Sequence, residues 1–264
     1  MEQQKYPDKI LPTGIVGPAE GVRQSSPGNA APSLLLNAVP KSASTYLSEV
    51  LERGLGAKRI ALTVGIFPDD LILFPRIQTF AEGGQIARQH FPPTDTNLAY
   101  LRHFNVRPII HVRDPRAVLV SWTHQLASVG GGWKELFWYY PAICPPPAFL
   151  ERNFAWQLEW CLEHHFDVFL DWICDWCAAA DRQAVEVLFT SFEDLVLDEG
   201  RMLLRIMEFS GLAEKFRRPQ VAPSAELLFR EGKIDGWRAA AAQIATAATH
   251  AMPEDLWKRF AWKP

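Results

Sequence analysis

The sequence predicts an α/β fold, a three-layer α/β/α arrangement with a central, mainly parallel sheet. Three observations predict it. Short apolar runs of strand length alternate along the chain with amphipathic runs of helix length, as parallel sheets covered on both faces require. The first such run, Ser33 to Val39, leads at once into a tight turn rich in hydroxyls, Pro40-Lys41-Ser42-Ala43-Ser44-Thr45, and then into a helical pattern. The third is size: 264 residues, 48% of them apolar, suffice for one large core that needs neither disulfide nor metal.

Residues 1–31 are rich in Pro, Gly, Gln and Ser and lack periodicity, so they read as a flexible arm before a single domain spanning 32–264. Leu34 to Val39 is a buried-type strand, and the turn after it opens a helix with Leu47, Val50 and Leu51 on one face and Gly54 and Gly56 near its end. This is a P-loop-like strand-turn-helix. Ile60 to Val64 suits a strand, whereas Asp69 to Phe80 fits neither pattern. Gly84 to Gln89 reads as a short strand ending at His90, Thr96 to Phe104 as a helix, and Pro108 to Val112 as a buried strand. Asp114-Pro115 opens the next helix, with acid and proline where a helix start favours them. Residues 128–148 hold Gly130-Gly131-Gly132, five aromatics from Trp133 to Tyr140, and Pro145-Pro146-Pro147, which suits a long loop over an acceptor or a packed structural loop. A long helix or helix pair follows from Phe149 to about Ala180, then a strand from Ala184 to Thr190 and a helix over Met202 to Phe209. An alanine-rich helix from Trp237 and a turn near Leu256 close the chain.

The net charge of −3 argues against general affinity for nucleic acid, so any anion site must be a local cluster. Four cysteines in this length make no disulfide framework, and no apolar run is long enough to span a bilayer. With no signal-like run at the N-terminus, the expected location is cytoplasmic.

The segment Lys41 to Thr45 carries the first chemical signal. Amides converge at such a helix start without intrahelical partners. A lysine and three hydroxyls beside them make a pocket for a phosphate or sulfate, to which amides and dipole add about 0.3–2 kcal/mol. An ordinary helix start rich in Ser and Thr would read the same way. The full Walker spacing is absent, which counts against an ordinary ATP or GTP site. The second signal is Arg113, at a strand end where ligands bind in open α/β sheets, with Ser121 eight residues on, near the same helix face. The pair can grip one phosphate from two sides, although Arg113 alone is equally suited to a carboxylate partner.

Pro40-Lys41-Ser42-Ala43-Ser44-Thr45-Tyr46 resembles the 5'-phosphosulfate loop of the sulfotransferase family. Arg113 through Ser121 resembles that family's 3'-phosphate motif at the same spacing. Ser191-Phe192-Glu193-Asp194-Leu195 is similar to its Tyr-Glu-Asp segment, and Phe229-Arg230-Glu231-Gly232 with Asp235-Gly236-Trp237 to its Arg-Lys-Gly loop and nearby Trp. The resemblance implies a sulfuryl transferase that takes 3'-phosphoadenosine 5'-phosphosulfate as donor, needs no metal, and uses a small-molecule hydroxyl as acceptor. It implies that Lys41 contacts the oxygen bridging phosphate and sulfate, that the amides of Ser42, Ala43, Ser44 and Thr45 cradle the 5'-phosphate, and that Tyr46 packs on the adenine. Arg113, Ser121 and the loop Arg230, Glu231 and Gly232 would hold the 3'-phosphate, with Phe192 bordering the nucleotide. Ala43 stands where the family has a common glycine, Glu231 where it has a lysine, and Phe192 lacks the tyrosine hydroxyl. The family's animal dimerisation motif has no match here.

His90 follows a strand and precedes Phe91-Pro92-Pro93, in a place similar to the family's catalytic histidine, and is the candidate general base. Lys41 and Ser121 complete the expected catalytic set. His124, three residues after Ser121, is the alternative base; His111 reads as a strand residue of the core. His103, His164, His165 and His250 carry no supporting context. Cys174-Asp175-Trp176-Cys177 has redox or zinc spacing, with Cys161, His164 and His165 as further ligands, but it falls inside a helix and reads better as buried cysteines. The aromatics Trp156, Trp160, Phe166 and Phe169 read as core. Two other readings remain: an ATP-dependent P-loop-like kinase, and a non-catalytic nucleotide-binding relative.

Overall fold

The structure, a computed structural model, describes residues 31–65, 67–128, 144–221, 238 and 245–263. The main sheet comprises β1 (Leu34–Ala38), β2 (Lys58–Arg59), β5 (Gln85–Gln89), β6 (Pro108–Val112) and β7 (Leu188–Ser191), all parallel, in the order β2-β5-β1-β6-β7. A small antiparallel pair, β3 (Thr63–Val64) and β4 (Leu71–Ile72), stands apart from it. The helices are α1 (Ser44–Leu55), α2 (Phe74–Ala81), α3 (Asp95–His103), α4 (Pro115–Ser128), α5 (Phe154–Asp181), α6 (Phe192–Ser210), α7 (Ala245–Ala251) and α8 (Glu254–Phe260), with a 3₁₀ turn at Pro147–Glu151. Among the described residues no helix is long and apolar enough to cross a membrane.

Every position of β1 and β6 is buried, because the sheet is covered on both faces. Strand alternation sorts their side chains. Leu34, Leu36, Ile86 and Ile109 pack against Leu47, Val50 and Leu51 of α1 and Met202, Leu203 and Ile206 of α6. Leu35, Ala87, Ile110 and Val112 face the other way, against Leu98 of α3, Val118 of α4 and Phe166, Phe169 and Ile173 of α5. Each fully buried Leu or Ile here contributes about 1.5–3 kcal/mol.

The two layers set the functional edge. β1 leads into α1 on one face, while its neighbours β5 and β6 lead into α3 and α4 on the other. A crevice opens at the carboxyl ends of adjacent strands whose connections diverge in this way. The segments after β5, β1 and β6 begin with His90, Val39 and Arg113 respectively.

Several boundaries differ from the sequence pattern. The strand expected from Ala184 begins at Leu188, because Gln183 (φ 55°) turns the chain and Ala184 N–H bonds back to Ala179 O to close α5. The helix expected over Met202 to Phe209 starts ten residues earlier at Phe192, where the Ser191 hydroxyl accepts Asp194 N–H at 3.0 Å. Its first turns escaped the periodicity because Asp198 (φ −155°, ψ 80°) kinks the helix and resets its face. The long pattern after Phe149 is one 28-residue helix preceded by the 3₁₀ turn. The ambiguous stretch from Asp69 divides into β4 and α2, with Pro75 in the first turn of α2.

Candidate active site

The turn after β1 is built by two residues in the left-handed region, Lys41 (φ 66°) and Ala43 (φ 63°). Each costs a non-glycine residue about 1–2 kcal/mol, so the loop is strained and must be held. Three contacts hold it. The Ser42 hydroxyl donates to Val39 O (2.7 Å), the buried His111 bonds Ser42 O through Nε2 (2.9 Å), and Arg113 Nη1 donates to Lys41 O (2.8 Å). The first bond of α1 is Leu47 N–H to Ala43 O, which leaves the amides of Ser44 and Thr45 at the helix mouth for an anion. Lys41 Nζ donates to Gln125 Oε1 of α4 (2.6 Å), and burial, with the neighbouring Arg113 charge, lowers its pKa to about 8.

Arg113 thus lies directly against the loop. Its guanidinium stacks over Phe192 at 4.0 Å, and its buried Nε has no partner among the described residues. Burial holds its pKa down to about 10, opposed by the nearby carboxyls of Glu193 and Asp114, so it remains a cation at neutral pH. An unsatisfied, charged donor of this kind costs stability until an anion meets it.

His90 follows Gln89, which pairs with Asn37 across β5 and β1, so its ring falls beside Ala38. Nδ1 lies 2.6 Å from Ala38 O and must carry the proton, since a carbonyl can only accept. Nε2 is then the basic nitrogen. Burial, and next the Arg88 charge, lower the imidazole to about 4, against a partial opposing effect of the Ala38 hydrogen bond. His90 is therefore neutral at neutral pH. Its backbone is fixed by Trp172 Nε1, which donates to His90 O and Phe91 O (3.0 and 3.1 Å), with Asn37 Nδ2 and Trp176 Nε1 also on Phe91 O.

The description "Sulfotransferase domain" matches residues 82–224, more than half of the chain, and that span contains His90, Arg113, Ser121 and Phe192. The chain belongs to the sulfotransferase domain family. The fold of this sulfotransferase is similar to the crystal structure of mouse sulfotransferase SULT7A1 complexed with PAP, at 17% identity and a TM-score of 0.55, over 86% of each chain. No curated protein sequence matches it. The loop from Pro40 to Tyr46 precedes the matched span, so its assignment rests on the geometry above.

Other residues of the sulfotransferase fall as follows. Ser121 is half-buried on α4, one turn before Gln125. Tyr46 is buried, and its hydroxyl donates to Glu199 Oε1 (2.8 Å); burial and that bond raise its pKa to about 12. It packs between α1 and α6 instead of presenting an open ring. Phe192, 2% exposed, lies beneath the Arg113 guanidinium. His124 stacks on Phe154 at 4.1 Å. His111 is a core residue as the strand pattern suggested, accepting from the Thr190 hydroxyl at Nδ1 (2.9 Å). Cys174 and Cys177 are unpaired cysteines of α5, Cys177 buried. Among the described residues no group of three or more His, Cys, Asp or Glu is placed to hold a metal. Arg230, Glu231, Gly232 and the aromatic run Trp133 to Tyr140 lie outside the described residues.

Two polar groups escaped the sequence reading. Arg88 of β5 reaches the loop, its Nη1 3.3 Å from the Thr45 hydroxyl, and burial with the Arg59 charge lowers its pKa. The other is Gln125. The only sequence signal for Arg88 was its place two residues before His90 on the same strand; Gln125 had its one-turn spacing from Ser121.

Proposed function

We propose that this sulfotransferase moves the sulfuryl group of 3'-phosphoadenosine 5'-phosphosulfate to a hydroxyl of a small-molecule acceptor. His90 Nε2 takes the acceptor proton while the hydroxyl oxygen forms the new bond to sulfur. The bond from sulfur to the bridging oxygen breaks, and its electron pair leaves with the 5'-phosphate. Lys41, freed from Gln125, and the amides of Ser42 to Thr45 meet that charge, so positioning and charge stabilisation supply most of the rate. Arg113 and Ser121 hold the 3'-phosphate.

The observation that carries this reading is the contact of Arg113 Nη1 with Lys41 O at 2.8 Å, which joins the two phosphate motifs in one crevice. The test is binding of adenosine 3',5'-bisphosphate and of adenosine 5'-phosphate without metal, by wild type and Arg113→Ala. Wild type is expected to prefer the bisphosphate. The variant should lose about 10²-fold for the bisphosphate and much less for the monophosphate, as loss of a charge-assisted contact implies. Equal losses would remove Arg113 from the 3'-phosphate. Stabilisation by ATP-Mg²⁺ and not by the bisphosphate would favour the kinase reading.

A further inference from the structure

We propose that Arg116 is a positioning residue of the donor site, engaging the Asp114 carboxylate so that Arg113 keeps its own donors for an anion. This rests on the reading of Arg113 as the group that meets the donor's 3'-phosphate. Two arginines flank one buried acid here, and they are bound very differently. Arg116, 2% exposed, grips Asp114 as a fork: Nε lies 3.0 and 3.2 Å from the two carboxylate oxygens and Nη2 lies 2.6 Å from Oδ2. Its remaining donors go to Thr249 Oγ1 (3.1 Å) and Lys263 O (2.5 Å), and its face lies 4.4 Å from the Trp257 ring. Among the described residues Arg113 meets the Lys41 carbonyl and the Phe192 ring, and its buried Nε has no partner.

The difference matters because a carboxylate and a phosphate compete for the same guanidinium fork. Asp114 is next to Arg113 in sequence, and its charge acts on that guanidinium. Glu193, the other carboxyl nearby, accepts Asp114 N–H at 3.2 Å, and burial pushes it toward its neutral form. Among the described residues, that leaves Asp114 as the competitor, and Arg116 engages it. Asp114 has a second task that does not need its charge: Oδ1 accepts Arg116 N–H at 3.0 Å and caps α4, which an asparagine also does. The arrangement also ties the donor site to α7, α8 and Lys263, since Arg116 is anchored there.

The test is a cycle of Arg116→Met, Asp114→Asn and the double variant, with binding of adenosine 3',5'-bisphosphate and adenosine 5'-phosphate measured by calorimetry and folding by thermal melts. Arg116→Met leaves Asp114 unengaged and should weaken the bisphosphate by about tenfold or more while changing the monophosphate by less than about threefold. Asp114→Asn should bind like wild type within about threefold, and the double variant should recover to the same level. Rescue by deleting the opposing charge is not expected of a residue that only packs. A double variant as weak as Arg116→Met, or an Arg116→Met chain that binds the bisphosphate like wild type, overturns the proposal. If Arg116→Met does not fold, Asp114→Asn decides: wild-type affinity supports the role and a tenfold loss refutes it. Wild type with no preference for the bisphosphate sinks the donor reading, and this proposal with it.

Discussion

At the scale of single residues, the site depends on two groups whose charge states are shifted in useful directions. His90 gives one ring proton to Ala38 O and is held near 4 by burial and Arg88, so its Nε2 is available across neutral pH. Lys41 is held near 8 and keeps its charge only below that value. A neutral His90 and a charged Lys41 therefore coexist in the free protein between about pH 4 and 8. The expected kcat/KM profile is bell-shaped, with its acid limb near 4 rather than at the ordinary 6.5 of histidine and its alkaline limb near 8. His90→Gln should remove turnover and the acid limb together, with bisphosphate binding kept. An acid limb persisting in that variant would assign it elsewhere. Lys41, His90 and Arg113 were legible in the sequence because each sits at a strand end beside a turn. Arg88 and Gln125 were not, because their part depends on strand register and on which helix face meets the loop. For Tyr46 and Phe192, expected beside the nucleotide, the sequence did not show their burial, since it depends on how α1 and α6 pack.

At the scale of elements, α5 does more than fill the core. Trp172 and Trp176 project indole N–H groups from one helix onto the carbonyls of His90 and Phe91, and so fix the strand end that carries His90. Trp176 stood in the sequence only as part of a cysteine motif and Trp172 carried no reading, because a sequence shows the ring and not the partner of its nitrogen. Strand-turn-helix units with long apolar runs were legible, and β3 fell inside the run Ile60 to Val64; β2 and β4, of two residues each, were not, being too short to show any period. Trp172→Phe keeps the packing and deletes the donor. Phe91 O retains Asn37 and Trp176, but His90 O loses the bond from Trp172, so the strand end loosens. The expected result is a stability loss of about 1–2 kcal/mol and a fall in kcat of about tenfold, with bisphosphate affinity unchanged. Steady-state kinetics beside calorimetric binding separates the two effects, and an equal fall in affinity would mean that the whole crevice had moved.

At the scale of the whole molecule, the crevice exists because helices leave β1 and its neighbours on opposite faces, and the strained loop at its centre is fastened to the sheet by a buried histidine. His111 bonds Thr190 of β7 and Ser42 of the loop, and burial lowers it to about 4. This fastening couples fold stability to pH. The unfolded chain binds a proton at His111 below about 6.5 whereas the folded chain does not until about 4, so stability contributed by the neutral ring is complete above 6.5 and is lost as pH falls through that window. The difference amounts to at most about 3 kcal/mol. His90 acts in the same direction, whereas Asp70, raised to about 6 by burial, acts in the opposite one, so the slope of the wild-type curve alone does not isolate His111. The difference between wild type and His111→Asn does. Asparagine does not titrate here, and it replaces the ring with a shorter amide. Its destabilisation, from urea unfolding, should be largest above pH 6.5 and should shrink by about 2–3 kcal/mol toward pH 4 as the wild-type ring is forced to charge. A gap that stays constant from pH 7 to pH 4 would show that His111 holds the loop by shape alone, and that its hydrogen bonds to Ser42 and Thr190 carry no protonation penalty.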